Sequence, residues 1–119
     1  MLGRFYSRFP RLSLTLPSSR GPLDIEFIID TGFDGELALP DDILAMLDVS
    51  MSETRFVQLA GGFRQRCDSY EVLLDWNDDE RLVEVLTLDG NPLIGNGLWE
   101  GFFLQAENVG DGEVSLEAI

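Results

Sequence analysis

The chain of 119 residues contains no histidine and no lysine, and its single cysteine is Cys67. Without histidine, Ser-His-Asp and Cys-His catalysis are excluded within the chain, and the commonest metal ligand is missing. One cysteine excludes an intrachain disulfide and points to a reducing compartment, read here as the cytoplasm. All positive side chains are arginines, eight against 22 acids, for a net charge of −14. That balance argues against nucleic acid and against an anionic membrane as partners. No apolar run is long enough for a membrane helix or a secretory core, because Pro10 and Arg11 interrupt the one candidate. For acid–base chemistry, what remains is carboxylates.

What is present suffices for one folded domain over residues 1–119: the chain is 45% hydrophobic and 10% aromatic. The first 23 residues hold Arg4, Arg8, Arg11 and Arg20 and no acid. An acid-free, arginine-bearing start can be a transit peptide. The alternation of Leu12, Leu14 and Leu16 with Ser13 and Thr15 favours a strand instead. Short strands then follow at regular spacing. Met1 to Phe5 reads as a short edge strand, Arg11 to Leu16 and Leu23 to Ile29 as a hairpin, and Glu36 to Leu39 as a further strand. Pro40-Asp41-Asp42 opens a short helix with Ile43, Leu44 and Leu47 on its apolar face. Thr54 to Leu59 and the run from Phe63 through Val72-Leu73-Leu74 form a long hairpin with Ala60-Gly61-Gly62 at its tip. Arg81 to Leu88, Pro92 to Gly95, Phe102 to Leu104 and Glu113 to Ile119 complete the strands, with one helical turn expected over Asn96 to Glu100. Many strands and little helix predict an all-β barrel or sandwich.

The stretch that invites a functional reading is Phe27-Ile28-Ile29-Asp30-Thr31-Gly32-Phe33-Asp34-Gly35. An apolar strand runs straight into a carboxylate, which is costly to bury ionised without partners. Thr31 supplies a hydroxyl, and Gly32 permits a sharp turn and a close approach. The pattern suits a carboxylate held rigidly at the mouth of a cleft; its plain alternative is an ordinary turn at a strand end.

With the hairpin tip Ala60-Gly61-Gly62 and the later Pro92-Leu93-Ile94-Gly95, followed by Leu98 and Trp99, the chain resembles the retropepsin-like aspartic proteases of the single-domain bacterial type. The resemblance spans roughly residues 11–119 and implies a small closed acid-protease barrel with one or two short helices and a glycine-tipped flap. It makes Asp30 the catalytic carboxylate, with Thr31 locking two active-site loops together and Gly32 offering its carbonyl to substrate. Phe33, Asp34, the flap residues Ala60, Gly61, Gly62 and Phe63, and Ile94 become substrate-binding candidates; Leu93 and Gly95 become structural supports of the site. Two positions depart from the family: Phe33 is bulky where retroviral enzymes often carry a small residue, and Asn96 stands where they usually carry the arginine that pairs with an acid near the site.

One Asp-Thr-Gly supplies one carboxylate, and the chemistry needs two, so the resemblance implies a homodimer with one Asp30 from each chain. The pair would titrate as a unit. The expected activity is endopeptidase hydrolysis of a peptide or protein substrate, with no cofactor and no metal. Two alternatives accompany it: a catalytically silent dimeric peptide-binding module of the same fold, and a monomeric structural barrel.

Overall fold

A computed structural model describes residues 1–58 and 61–119. The described residues form ten strands and one helical turn, in the order β1 (Leu2–Tyr6), β2 (Phe9–Leu16), β3 (Leu23–Ile29), β4 (Leu37–Leu39), α1 (Asp41–Leu44), β5 (Ser50–Gln58), β6 (Arg64–Trp76), β7 (Asp79–Thr87), β8 (Leu93–Ile94), β9 (Phe102–Ala106) and β10 (Gly112–Ala118). The protein is all-β, as its strand periodicity predicts.

Local chemistry sets most of these elements. In β2, Leu12, Leu14 and Leu16 are buried while Ser13 and Thr15 face solvent, the two-residue period of a strand with one wet face. Two-residue hairpin turns with both central residues at positive φ join β1 to β2 through Ser7 and Arg8, and β6 to β7 through Asn77 and Asp78. That geometry matches the twist of the strands it connects. In α1, Asp41 and Asp42 occupy the first turn, while Leu44 and the following Leu47 bury the apolar side. The helical turn expected after Gly95 is a set of tight turns, with Leu98 N–H donating to the Gly95 carbonyl and Phe102 N–H to that of Trp99.

All strands belong to one sheet in the order β5-β6-β7-β4-β8-β3-β2-β1-β10-β9. The expected closed barrel is therefore corrected to a curled sheet: among the described residues no pairing joins β5 to β9. The reason lies in β5, a strand exposed along its length except at Val57, which projects with β6 as a long hairpin instead of returning to the far edge. Met1 to Phe5 is corrected as well. It is an interior strand, because β10 returns to pair with β1 and leaves β9 as the edge.

The sheet curls over one main core that joins Leu14 of β2, Phe27 of β3, Leu74 and Trp76 of β6, Val85 of β7 and Leu116 of β10. A second, smaller core lies on the other face of β7, where Leu86 and Leu88 meet Phe33, Ala38 and Cys67. Leu82, on that same face, is exposed, since the cover supplied by Phe33 and Ala38 does not reach it.

The central strands have an unusual order. Consecutive strands β3 and β4 are separated by β8, which runs parallel to β3 (Ile28↔Leu93, Ile29↔Ile94) and antiparallel to β4 (Leu37↔Ile94). The segment from Asp30 to Glu36 must therefore arch over the end of β8.

Phe27 is fully buried in the main core. Phe27→Ala is expected to lower the unfolding free energy by about 3–5 kcal/mol, read as a fall in the urea midpoint at unchanged slope.

Candidate functional site

The arch begins where β3 ends. Asp30 N–H donates to the Ile94 carbonyl at 2.9 Å, which ends the apolar strand in register with β8. The Asp30 side chain turns back on its own loop: Gly32 N–H donates to Oδ1 at 2.8 Å, and Phe33 N–H donates to the Asp30 carbonyl at 3.2 Å. This Asx-type turn fixes one carboxylate oxygen. The other has no partner among the described residues, and the side chain stays half-buried. Thr31 and Gly32 are exposed at the crown, and the Thr31 hydroxyl makes no hydrogen bond among the described residues.

The segment after β8 passes beneath the arch and ties it down. Gly95 N–H donates to the Glu36 carbonyl at 2.9 Å, Asn96 N–H to that of Phe33 at 2.8 Å and Gly97 N–H to that of Gly35 at 3.1 Å. Asn96 Nδ2 reaches the Thr31 carbonyl at 2.8 Å. Packing is so close that a Cβ on Gly95 would lie 2.1 Å from the Gly35 oxygen and 2.7 Å from the Phe33 oxygen. Glycine is thus a steric requirement at this position. Asn96 braces the loop that carries Asp30. Its Oδ1 is buried without a partner among the described residues.

Phe33 is 7% exposed and anchors the arch in the second core. Its bulk is absorbed below the loop. Glu36, at the end of the arch, is gripped from β7: Arg81 Nη2 donates to its Oε2 at 2.6 Å and Glu84 N–H to its Oε1 at 3.0 Å, while Arg81 Nη1 reaches the Leu98 carbonyl at 3.3 Å.

Facing the arch is the first arm of the β5–β6 hairpin. A cavity of about 310 Å³ lies between them, bounded by Phe33 and Asp34 from the arch, by Arg55 and Val57 from β5, and by Glu84 and Leu86 from β7. Arg55 Nη1 donates to Glu84 Oε2 at 2.6 Å, and the buried Ser69 hydroxyl donates to the same oxygen at 2.9 Å. The hydrogen bond and charge of Glu84 hold the Arg55 guanidinium above its ordinary proton affinity. Burial pushes the Cys67 thiol up, since the thiolate is penalised there. A second hollow, about 470 Å³ and open, adjoins Thr31, Asn96, Trp99 and Phe102. Trp99 Nε1 is buried without a partner among the described residues.

The candidate residues thus divide. Asp30, Thr31, Gly32, Phe33 and Asp34 form the arch, and Asp34 borders the first cavity. Ile94 is fully buried in the main core. Its side chain supports the arch from below and does not wall a cleft. Leu93 packs beside the second core. At the hairpin tip Gly61 and Gly62 have φ of 86° and 81°, the left-handed region that a glycine turn uses, and Phe63 is 73% exposed and away from the cavity wall. Ala60 lies outside the described residues. Among the described residues, no group of three or more acidic or cysteine side chains is arranged to hold a metal ion, and no helix is long and apolar enough to cross a membrane.

Arg55, Glu84, Glu36 and Arg81 carry no motif, and their contacts join residues far apart in sequence. One signal is available. Glu84 interrupts the apolar face Leu82, Leu86, Leu88, and a carboxylate in such a row requires a partner. Comparison of the chain with protein-family models, with curated proteins and with solved structures finds no match.

Two outcomes are expected. Gly95→Ala should cost about 3 kcal/mol or more, because a backbone oxygen must move, whereas Gly110→Ala, with open space around its Cβ, should change stability by less than about 0.5 kcal/mol; urea unfolding of both variants checks this. In the native protein Cys67 should resist alkylation at mildly alkaline pH and react promptly once unfolded, as followed by mass spectrometry.

Proposed function

We propose that the protein is an aspartic endopeptidase whose active site is completed by a second copy of the chain. The observation that carries this reading is the braced arch. It holds a carboxylate at a strand end, with one oxygen pinned by Gly32 N–H and the other unpartnered among the described residues, on a loop locked from below by Gly95 and Asn96. Rigid placement of a reactive group is what positioning catalysis requires. The exposed Thr31 and Gly32 beside it, and the open hollow at Asn96 and Trp99, support a surface that a second subunit covers.

In this mechanism the ionised Asp30 of one subunit takes a proton from a water molecule, whose oxygen attacks the peptide carbonyl carbon. Asp30 of the partner subunit, protonated, gives its proton to the carbonyl oxygen. The tetrahedral diol then collapses: the carbonyl re-forms, the C–N bond breaks, and a proton passes to the departing amine, which leaves the dyad with one proton as at the start. Two carboxylates this close share a single proton readily and ionise together with difficulty. Aspartic proteases are the type case of such a dyad, and activity is accordingly expected on the acid side of neutrality. The β5 arm and the hairpin tip would lie across an extended peptide held against the arch.

Cleavage of an unfolded protein mixture between about pH 3 and 7 tests the proposal. The wild type should produce fragments, and Asp30→Asn, folded to the same extent by circular dichroism, should produce none. Equal cleavage by both would remove Asp30 from the chemistry. Saturable peptide binding without products in either would favour the silent peptide-binding module.

A further inference from the structure

The cavity between the arch and the β5 arm is lined by four charged side chains, and three of them are committed. Glu36 is held by Arg81 and by the Glu84 N–H. Arg55 and Glu84 hold each other, with Ser69 as a third member. The fourth, Asp34, is exposed and makes no side-chain hydrogen bond or ion pair among the described residues. Phe33, Leu86 and Val57 supply apolar lining to the same cavity.

Resting on the peptidase reading above, we propose that this cavity is a subsite for a basic side chain of the substrate, arginine or lysine, with Asp34 as the specificity-determining counter-charge. The cavity's lining carries three carboxylates and one guanidinium, which leaves it negative after its internal pair is formed. A long side chain with an apolar stem and a cationic head matches a lining that combines apolar side chains with one uncommitted carboxylate. An acidic side chain would meet Asp34 unshielded, because the Arg55 guanidinium is held by Glu84. The overall charge of −14 adds a field that draws basic segments toward the protein.

The test uses the folded Asp30→Asn chain, which on the peptidase reading binds peptides without consuming them. Sets of short extended peptides, identical except for Arg, Lys, Leu or Glu at one scanned position, are titrated by calorimetry. At one position Arg and Lys peptides should bind about tenfold more tightly than Leu, and Glu more weakly still. Adding Asp34→Asn should erase the difference, while adding Glu117→Gln, which removes the same charge from the exposed end of β10, should preserve it. A preference for Leu or Glu, a basic preference that survives Asp34→Asn, or no binding of any peptide would overturn the subsite. The two readings separate cleanly: Asp34-dependent basic binding beside a wild type that cleaves nothing keeps the subsite and removes the peptidase, and Asp30-dependent wild-type cleavage indifferent to basic residues does the reverse.

Discussion

The absence of a side chain at Gly95 is the constraint on which the site depends. With β8 inserted between β3 and β4, the chain from Asp30 to Glu36 has to pass over whatever follows Ile94. Three backbone N–H groups in succession, from Gly95, Asn96 and Gly97, meet three carbonyls of the arch, from Glu36, Phe33 and Gly35. These bonds form because the two segments approach within a distance that a Cβ would occupy. The polar backbone of a tight loop is thus satisfied from below, and the crown is left to present Thr31 and Gly32 outward beside the half-buried Asp30.

The same geometry connects the arch to the hairpin. Phe33 anchors the loop in the small core shared with Ala38, Cys67, Leu86 and Leu88, with Val57 of β5 packed against it. Glu36 and Arg81 fasten the far end of the arch to β7, and Arg55 with Glu84 fastens β5 across β6 to the same strand. One strand, β7, therefore positions both sides of the cavity: Glu84 receives Arg55 on its side chain and Glu36 on its backbone N–H. One carboxylate set between Leu82 and Leu86 organises two elements that local sequence does not join. The Glu84–Arg55 pair is partly solvent-exposed, so its role is better described as placement than as a large source of stability.

Much of this is legible in the sequence because it is local. The alternation of β2, the apolar run of β3, the acids that open α1 and the glycines of the hairpin tip each write their structure within a few residues. Asp30-Thr31-Gly32 and Leu93-Ile94-Gly95 stand out as a pair, although their physical relation, one passing beneath the other, depends on the order of strands in the sheet. Strand β1 reads as an edge from its own residues, yet its place is decided by β10, more than a hundred residues away. A closed barrel is what the family resemblance implies, and the exposed, projecting β5 supplies the physical reason for an open sheet. Ile94 reads equally as cleft or core from its apolar type alone; its neighbours on β3 and β4 make it core. Asn96 stands out in sequence as a departure, but nothing local foretells its bond to the Thr31 carbonyl.

In the proposed mechanism two copies of Asp30, one from each chain, act as one site. Mixing measures it directly: a fixed amount of wild type is co-refolded with an equal amount of Asp30→Asn, and peptide hydrolysis is followed. Random pairing leaves roughly half of the wild-type chains in wild-type pairs, so activity should fall to about half and continue downward as more variant is added. Activity that stays constant with excess variant, or hydrolysis that never depends on Asp30, would contradict the shared site.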